Sequence, residues 1–365
     1  MKFIFISAPT FETWDWSNPD TVGIGGSETS HIEMAQRLAK RGHEVISYAP
    51  TPGLGSDYHM DVMWRQFLQP EQVKWNAATD VWVVYRAPEL IDHIPEGANI
   101  WLICQDVDYP HLTKERAARL NRIVALCETH GAYLQAMHPD TNVCVSSNGI
   151  KLALIEQIAK DQPERNPHRL MYASSPDRGL EYLLQIFPRA KEIVPDLELH
   201  TYYGFDNIEK VVAFYGENSR VGANTAKLRR FLDQPGVIHH GRTPQPQLLQ
   251  EWFKAGIWCH PSNFTETSCI TCMDAQACGA IPLTSPVWAI SENVQFGEFI
   301  EGDVRDELVR ARYVNRLALM AINAEKQDEI RQPMMNWARE AFGWELWVDQ
   351  WDGWARADCA QRRAA

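Results

Sequence analysis

Short apolar runs alternate with amphipathic helical patterns along this chain, and the alternation runs through twice. In the first half, β-branched and aromatic runs at 3–7, 44–48, 81–85, 100–104, 123–127 and 143–146 read as strands. A helical pattern over about 27–41, closed by Gly42, separates the first two. A second series of runs follows at 170–173, 197–203, 237–240, 257–260 and 281–284, with helical patterns at 180–193 and 247–255 between them. Strands that recur only after a helix cannot pair as hairpins. They pair in parallel, with helices covering both faces. At 365 residues the chain exceeds one ordinary domain, so two α/β domains are expected. The first is expected over 1–150 and the second over 151–339, with the polar, Pro-containing stretch 160–168 marking the boundary. Phe342-Gly343-Trp344-Glu345-Leu346-Trp347 opens a Trp-rich terminal helix, within 340–365.

The charge balance narrows the partners. A net charge of −12 argues against nucleic acid as a partner, and limits any membrane contact to a peripheral one. No apolar stretch approaches the length of a membrane span, and the apolar N-terminal run ends at Pro9, so it reads as a first buried strand. The eight cysteines fall mostly inside apolar segments, without the spacing of a disulfide framework or of paired zinc knuckles. A reducing, cytoplasmic setting and no bound metal are expected.

Residues 257–286 carry the most chemistry. An apolar strand ends in Pro261-Ser262, and a loop offers Phe264 and Glu266. A short helix then stops at Gly279, where a second buried strand begins. Asp274 follows Glu266 by eight residues and lies about two turns into the helix. The free amides expected at the start of that helix, around Ser268, Cys269 and Ile270, face the strand ends, where an open parallel sheet binds ligands and a helix N-terminus suits phosphate. A second loop, Gly23-Ile24-Gly25-Gly26-Ser27-Glu28, precedes the first amphipathic helix. Its glycines let backbone amides approach an anion. Glu28 stands where a dinucleotide fingerprint needs its third glycine, and the loop lies well beyond strand one, so a nicotinamide cofactor fits poorly. A third loop, Ser174-Ser175-Pro176-Asp177-Arg178-Gly179, brings a guanidinium suited to bidentate phosphate contact.

The 257–286 segment resembles the donor-binding signature of GT-B glycosyltransferases, in particular the retaining enzymes of glycosyltransferase family 4. Phe264, Glu266, Ala275, Ala277, Gly279 and Pro282 fit that pattern. Asp274 stands where the family has a second Glu, and Thr265 separates Phe264 from Glu266. The resemblance implies an α/β architecture of two Rossmann-like domains facing across a cleft, with the C-terminal helix crossing back to the first domain. It implies transfer of a sugar from a nucleotide-sugar donor to a glycan or small-molecule acceptor with retention of anomeric configuration. A UDP-sugar is favoured and a GDP-sugar comes next, with no metal or other cofactor.

Residue by residue, the resemblance gives Glu266 the sugar hydroxyls and Asp274 the ribose. The diphosphate falls to Arg178, to the Gly25 and Gly26 amides and to those near Ser268, Cys269 and Ile270. Ser174 occupies the family's first basic position without a charge, so Arg242 or Arg86 would supply the missing cation. Gln105 replaces a His near the reacting sugar. Asp106 after it is the second catalytic candidate, to hold a donor or acceptor hydroxyl. Trp14, Asp15 and Trp16, in the loop 11–21, are acceptor-side candidates, because exposed indoles stack on sugar faces. A non-hydrolysing nucleotide-sugar epimerase and a non-catalytic nucleotide- or glycan-binding protein are the alternatives on the same fold.

Overall fold

A computed structural model describes residues 1–9, 13–49, 56–66, 73–161 and 163–364. The chain divides into two compact units. One comprises Met1–Pro19, Ile24–Gly149 and Phe342–Ala365, and the other Asp20–Gly23 and Ile150–Ala341.

The first unit runs β1 (Lys2–Ser7), α1 (Asn18–Thr21, which straddles the division), α2 (Gly26–Lys40), β2 (Glu44–Tyr48), β3 (Ser56–His59), β4 (Val62–Arg65), β5 (Val81–Tyr85), β6 (Asn99–Ile103), α3 (Lys114–Ala117), β7 (Arg122–Ala125), α4 (Glu128–Met137) and β8 (Val143–Val145). Its eight strands lie in the order β3-β4-β2-β1-β5-β6-β7-β8, parallel except for the β3–β4 hairpin. Every residue of β5 and β6 is buried, as a sheet covered on both faces requires. Helix α2 ends as its sequence predicts. Gly42 takes φ +83°, and its amide and that of His43 bond back to Ala39 and Leu38.

The second unit contains α5 (Leu152–Ala159), β9 (Asn166–Tyr172), α6 (Leu180–Ile193), β10 (Glu198–Tyr202), α7 (Asp206–Tyr215), α8 (Arg220–Leu232), β11 (Val237–Gly241), α9 (Gln245–Lys254), β12 (Ala255–His260), α10 (Ile270–Cys278), β13 (Ile281–Thr284), α11 (Ala289–Asn293), β14 (Glu298–Phe299), α12 (Glu307–Ile322) and most of α13 (Ala324–Phe342). Its six strands are all parallel, in the order β11-β10-β9-β12-β13-β14. Counted within the unit this is the 3-2-1-4-5-6 order of doubly wound folds. The polar stretch 160–168 does not mark the boundary, a correction to the sequence reading. It links α5 to β9 inside the second unit, and the chain passes between units at Gly149–Ile150. Gln162 within it lies outside the described residues.

The last helix, α14 (Trp344–Ala364), belongs to the first unit. Trp344, Val348, Trp351 and Ala355 join the core formed by β1, β5 and α2. Asp358, 6% exposed, accepts from the Trp101 indole at 3.0 Å and the Asn99 amide at 3.3 Å, and pairs with Arg122. Arg362 donates to the Gly97 and Ala98 carbonyls. The α/β fold of two parallel-sheet domains, with the final helix returned to the first, is thus as the sequence predicted.

Candidate functional site

An open parallel sheet leaves a crevice where its strand order reverses, because the connections on either side leave in opposite directions. In the second unit that reversal falls between β9 and β12. The two loops leaving those strand ends are 173–179 and 261–269, which carry Arg178 and Glu266.

The structure brings the two side chains together. Arg178 Nη1 lies 3.3 Å from Glu266 Oε1, and the guanidinium sits over the Phe264 ring at 3.3 Å from its centroid. Glu266 is 13% exposed, and burial raises its pKa against the opposing pull of Arg178. The loops are locked. Tyr172 Oη donates to the Ser175 carbonyl at 2.8 Å, the Phe264 amide to Ser262 Oγ at 3.0 Å, and the Ala289 amide to the Glu266 carbonyl at 3.0 Å. Beneath them, the buried His260 ring stacks on Trp258 and Tyr172, and burial lowers its pKa to about 3, so it is neutral.

Helix α10 starts at the same place. Cys269 is its N-cap, at the unusual φ of +67° for a non-glycine residue, and Ile270 and Thr271 open the first turn. Ser174 Oγ shares a 3.0 Å hydrogen bond with Thr271 Oγ1, so the residue in the uncharged position reaches the helix start. Ser268 is buried, and its carbonyl accepts from the Asn293 amide. Asp274 lies in the second turn, 2% exposed. Arg242 stands just beyond the end of β11, against Gly23 and Gly204.

In the first unit the strand order reverses between β1 and β5, and a cavity of about 500 Å³ opens there. Ser7, Ala8 and Pro9 line it from the end of β1, Arg86 and Ala87 from the end of β5, and Asp106 from the end of β6. Arg86, at φ +64°, holds Asp106 in a bidentate pair of 2.7 and 2.9 Å, and its Nη1 lies 3.9 Å from Glu28. The sequence reading treated Arg86 as a spare phosphate cation and Asp106 as a hydroxyl holder. Here each is the other's partner. Gln105 reaches Ser30 Oγ and Asn148 Oδ1, both at 3.3 Å. Gly25 caps α2, and its carbonyl accepts from the Thr29 amide and hydroxyl. A β-carbon at Gly25 would lie 2.5 Å from the Glu28 carboxylate, which therefore folds over this end of the glycine pair, with Gly26 beginning the helix.

The acceptor-side loop needs correction. Trp14 is not an exposed indole. It is 1% exposed, packed edge-on against His31 and Trp64. A ring so large is stabilised more by the core than by water. Trp16 is partly buried, stacked on His59 with centroids 5.0 Å apart. Asp15 Oδ1 accepts from the Ser17 amide and hydroxyl in a local turn before α1. Residues 11 and 12 of that loop lie outside the described residues. Sequence reasoning missed His31, Tyr109 and Thr271. Only His31 carried a signal, as a His on the apolar face of an amphipathic helix.

No family model and no curated protein matches the sequence. Solved structures do match in fold along the whole chain. The sucrose-phosphate synthase of Thermosynechococcus elongatus superposes with a TM-score of 0.67 at 13% identity, covering 99% of this chain and 100% of that one. Anabaena HepE in complex with UDP-glucose gives 0.66 at 15% identity, covering 96% and 98%. The fold is GT-B. AviGT4, a glycosyltransferase of avilamycin A biosynthesis, gives 0.63 at 13% identity, over 99% and 98%. The chain spans 57% of the longer chain matched in a GtfA/B complex, with a TM-score of 0.56.

Proposed function

We propose that this protein is a glycosyltransferase that moves a sugar from a nucleotide-sugar to an acceptor hydroxyl with retention of configuration, with a UDP-sugar as the favoured donor and a GDP-sugar next. The observation that carries the reading is the Arg178–Glu266 pair at the strand-order reversal of the second unit, beside the start of α10. A cation, a carboxylate and free helix amides at one strand end match what a sugar diphosphate offers: negative charge at one end and hydroxyls at the other. The whole-length likeness to structures that bind UDP-glucose supports it.

In this reading Glu266 holds sugar hydroxyls, and Arg178 and the α10 amides take the diphosphate. Asp274 serves the ribose. The bond from the anomeric carbon to the diphosphate breaks, and its electron pair leaves on the phosphate oxygen. Arg178 stabilises that charge as it develops, in place of a metal ion. The acceptor oxygen bonds to the same face of the sugar, and its proton passes to the departing phosphate oxygen. The eight cysteines are free thiols, seven of them buried, which fits work in the cytoplasm. Among the described residues no helix is long and apolar enough to cross a membrane.

Thermal shift and turnover with UDP-, GDP-, ADP- and dTDP-sugars, in EDTA, test the reading. Stabilisation by one nucleotide with release of its diphosphate is expected. Donor rearrangement without an acceptor marks an epimerase, and binding without turnover marks a binding protein. No binding by any of them refutes the reading.

A further inference from the structure

Among the described residues of the second unit, three non-glycine residues have a positive φ, and each stands past a strand end: Tyr203 after β10, Cys269 after β12 and Trp288 after β13. Trp288 combines φ 45° with ψ −122°. Those are the angles of the first central residue of a type II′ turn, a position that glycine ordinarily takes. A side chain is held there only where its surroundings enforce it, and such strain gathers at ligand clamps.

The surroundings of Trp288 are those of Glu266. β13 pairs with β12 in register from Ile257–Ile281 to His260–Thr284, so the loops after the two strands leave the same end of the sheet. The Ala289 amide donates to the Glu266 carbonyl at 3.0 Å, and the Asn293 side-chain amide donates to the Ser268 carbonyl. On the other side, Ser285 Oγ lies 2.7 Å from Tyr313 Oη, and the Ser285 carbonyl accepts from the Val287 amide at 3.0 Å. Since β9, β12 and β13 are consecutive in the sheet, Arg178, Glu266 and Trp288 follow one another across three neighbouring strand ends. Ala289 and Ile290 are fully buried, while Trp288 stays partly exposed. Glycine would take this backbone without strain, so what tryptophan adds is its ring. A ring with open surface, next to a carboxylate, suits a sugar, which has an apolar C–H face and hydroxyls around its edge.

We propose that the Trp288 ring is the stacking surface for the donor sugar, beside the carboxylate that holds the sugar's hydroxyls. The ligand runs from its diphosphate at Arg178, past Glu266, to the sugar face at Trp288. That the ligand is a nucleotide-sugar rests on the reading under Proposed function.

Calorimetry on the full chain with two matched pairs, UDP-glucose against UDP and GDP-mannose against GDP, tests this. Trp288→Gly removes the ring and relieves the backbone, so Tm should hold or rise. The nucleotide-sugar that binds should weaken about three- to tenfold, and its parent nucleotide should not change. Trp288→Phe keeps an aromatic face and should restore most of the loss. Trp288→Leu fills space without that face and should not. Equal weakening of sugar nucleotide and nucleotide, no weakening of either, or a Phe variant no better than the Leu variant overturns the proposal and leaves the donor site standing. No binding of either pair overturns the donor reading and this inference with it. The expected split without turnover by the wild type overturns the transferase reading alone.

Discussion

Gly179 holds the two loops of the second unit's site together, and its replacement by alanine has a calculable effect. The residue caps α6 at φ +106° and ψ 3°, next to Arg178. A β-carbon there would lie 2.2 Å from the Pro261 carbonyl oxygen, 3.0 Å from its carbon and 3.1 Å from Ser262 Cα. All three are backbone atoms at the end of the fully buried β12, so no side chain can swing aside. The positive φ costs a side-chain-bearing residue about 1–3 kcal/mol. Relieving the overlap by shifting a packed strand end adds about 1–3 kcal/mol. Gly179→Ala should therefore cost about 2–6 kcal/mol, which for a domain of this size lowers Tm by roughly 4–24 °C. The same shift pulls Arg178 away from Glu266, and a displacement near ~1 Å in a site can cost about a hundredfold in function. Gly241→Ala is the matched control, at φ +70° in the same unit with open space around its β-carbon, so only the backbone cost applies. Urea unfolding of both variants, with nucleotide binding beside it, reads the difference. Equal stability of the two, with nucleotide binding intact in Gly179→Ala, would refute the argument.

Other perturbations follow from the same geometry. Arg178→Lys keeps the charge but loses the planar fork and the stacking on Phe264, so donor KM should rise at least about tenfold; an unchanged KM removes Arg178 from the diphosphate. Asp358→Asn leaves the largely buried Arg122 without its anion and should cost about 3–5 kcal/mol in denaturant unfolding, whereas a loss under about 1 kcal/mol would mean that this ion pair contributes little to holding the terminal helix. Acid should weaken the first unit through His31. Its folded pKa, about 3, lies below the ordinary 6.5, so the unfolded chain takes the proton first and stability falls as pH drops from 6.5 toward 3. At pH 5 that amounts to about 2 kcal/mol. A His31→Gln variant should lose that part of the pH dependence, and an identical pH profile would contradict the assignment.

The elements most legible in the sequence are those whose burial is uniform. β5 and β13 fall where the apolar runs predict, because a strand covered on both faces has no other residue pattern. The β3–β4 hairpin gave no warning. It turns at Met60-Asp61, both with positive φ, instead of the Asn-Gly or Asp-Gly pair that marks such a turn. Glu266 and Arg178 were each visible in their loops, but their contact was not. It depends on β9 and β12 being neighbours in space, although two strands and four helices separate them in sequence. The Arg86–Asp106 pair arises in the same way, from residues just past the ends of the adjacent strands β5 and β6. Trp14 shows the opposite limit. A tryptophan in a polar loop is an equally good core residue or ligand contact until its neighbours His31 and Trp64 are known.

The central claim is that the Glu266 carboxylate beside Arg178 works on a nucleotide-sugar. The most direct measurement is single-turnover transfer by the wild-type chain and Glu266→Gln with the donor that the thermal-shift panel selects. The account predicts a new glycoside of retained configuration from the wild type. It predicts a rate at least about a hundredfold lower in the variant, with nucleotide binding preserved. Transfer by Glu266→Gln at the wild-type rate would contradict it.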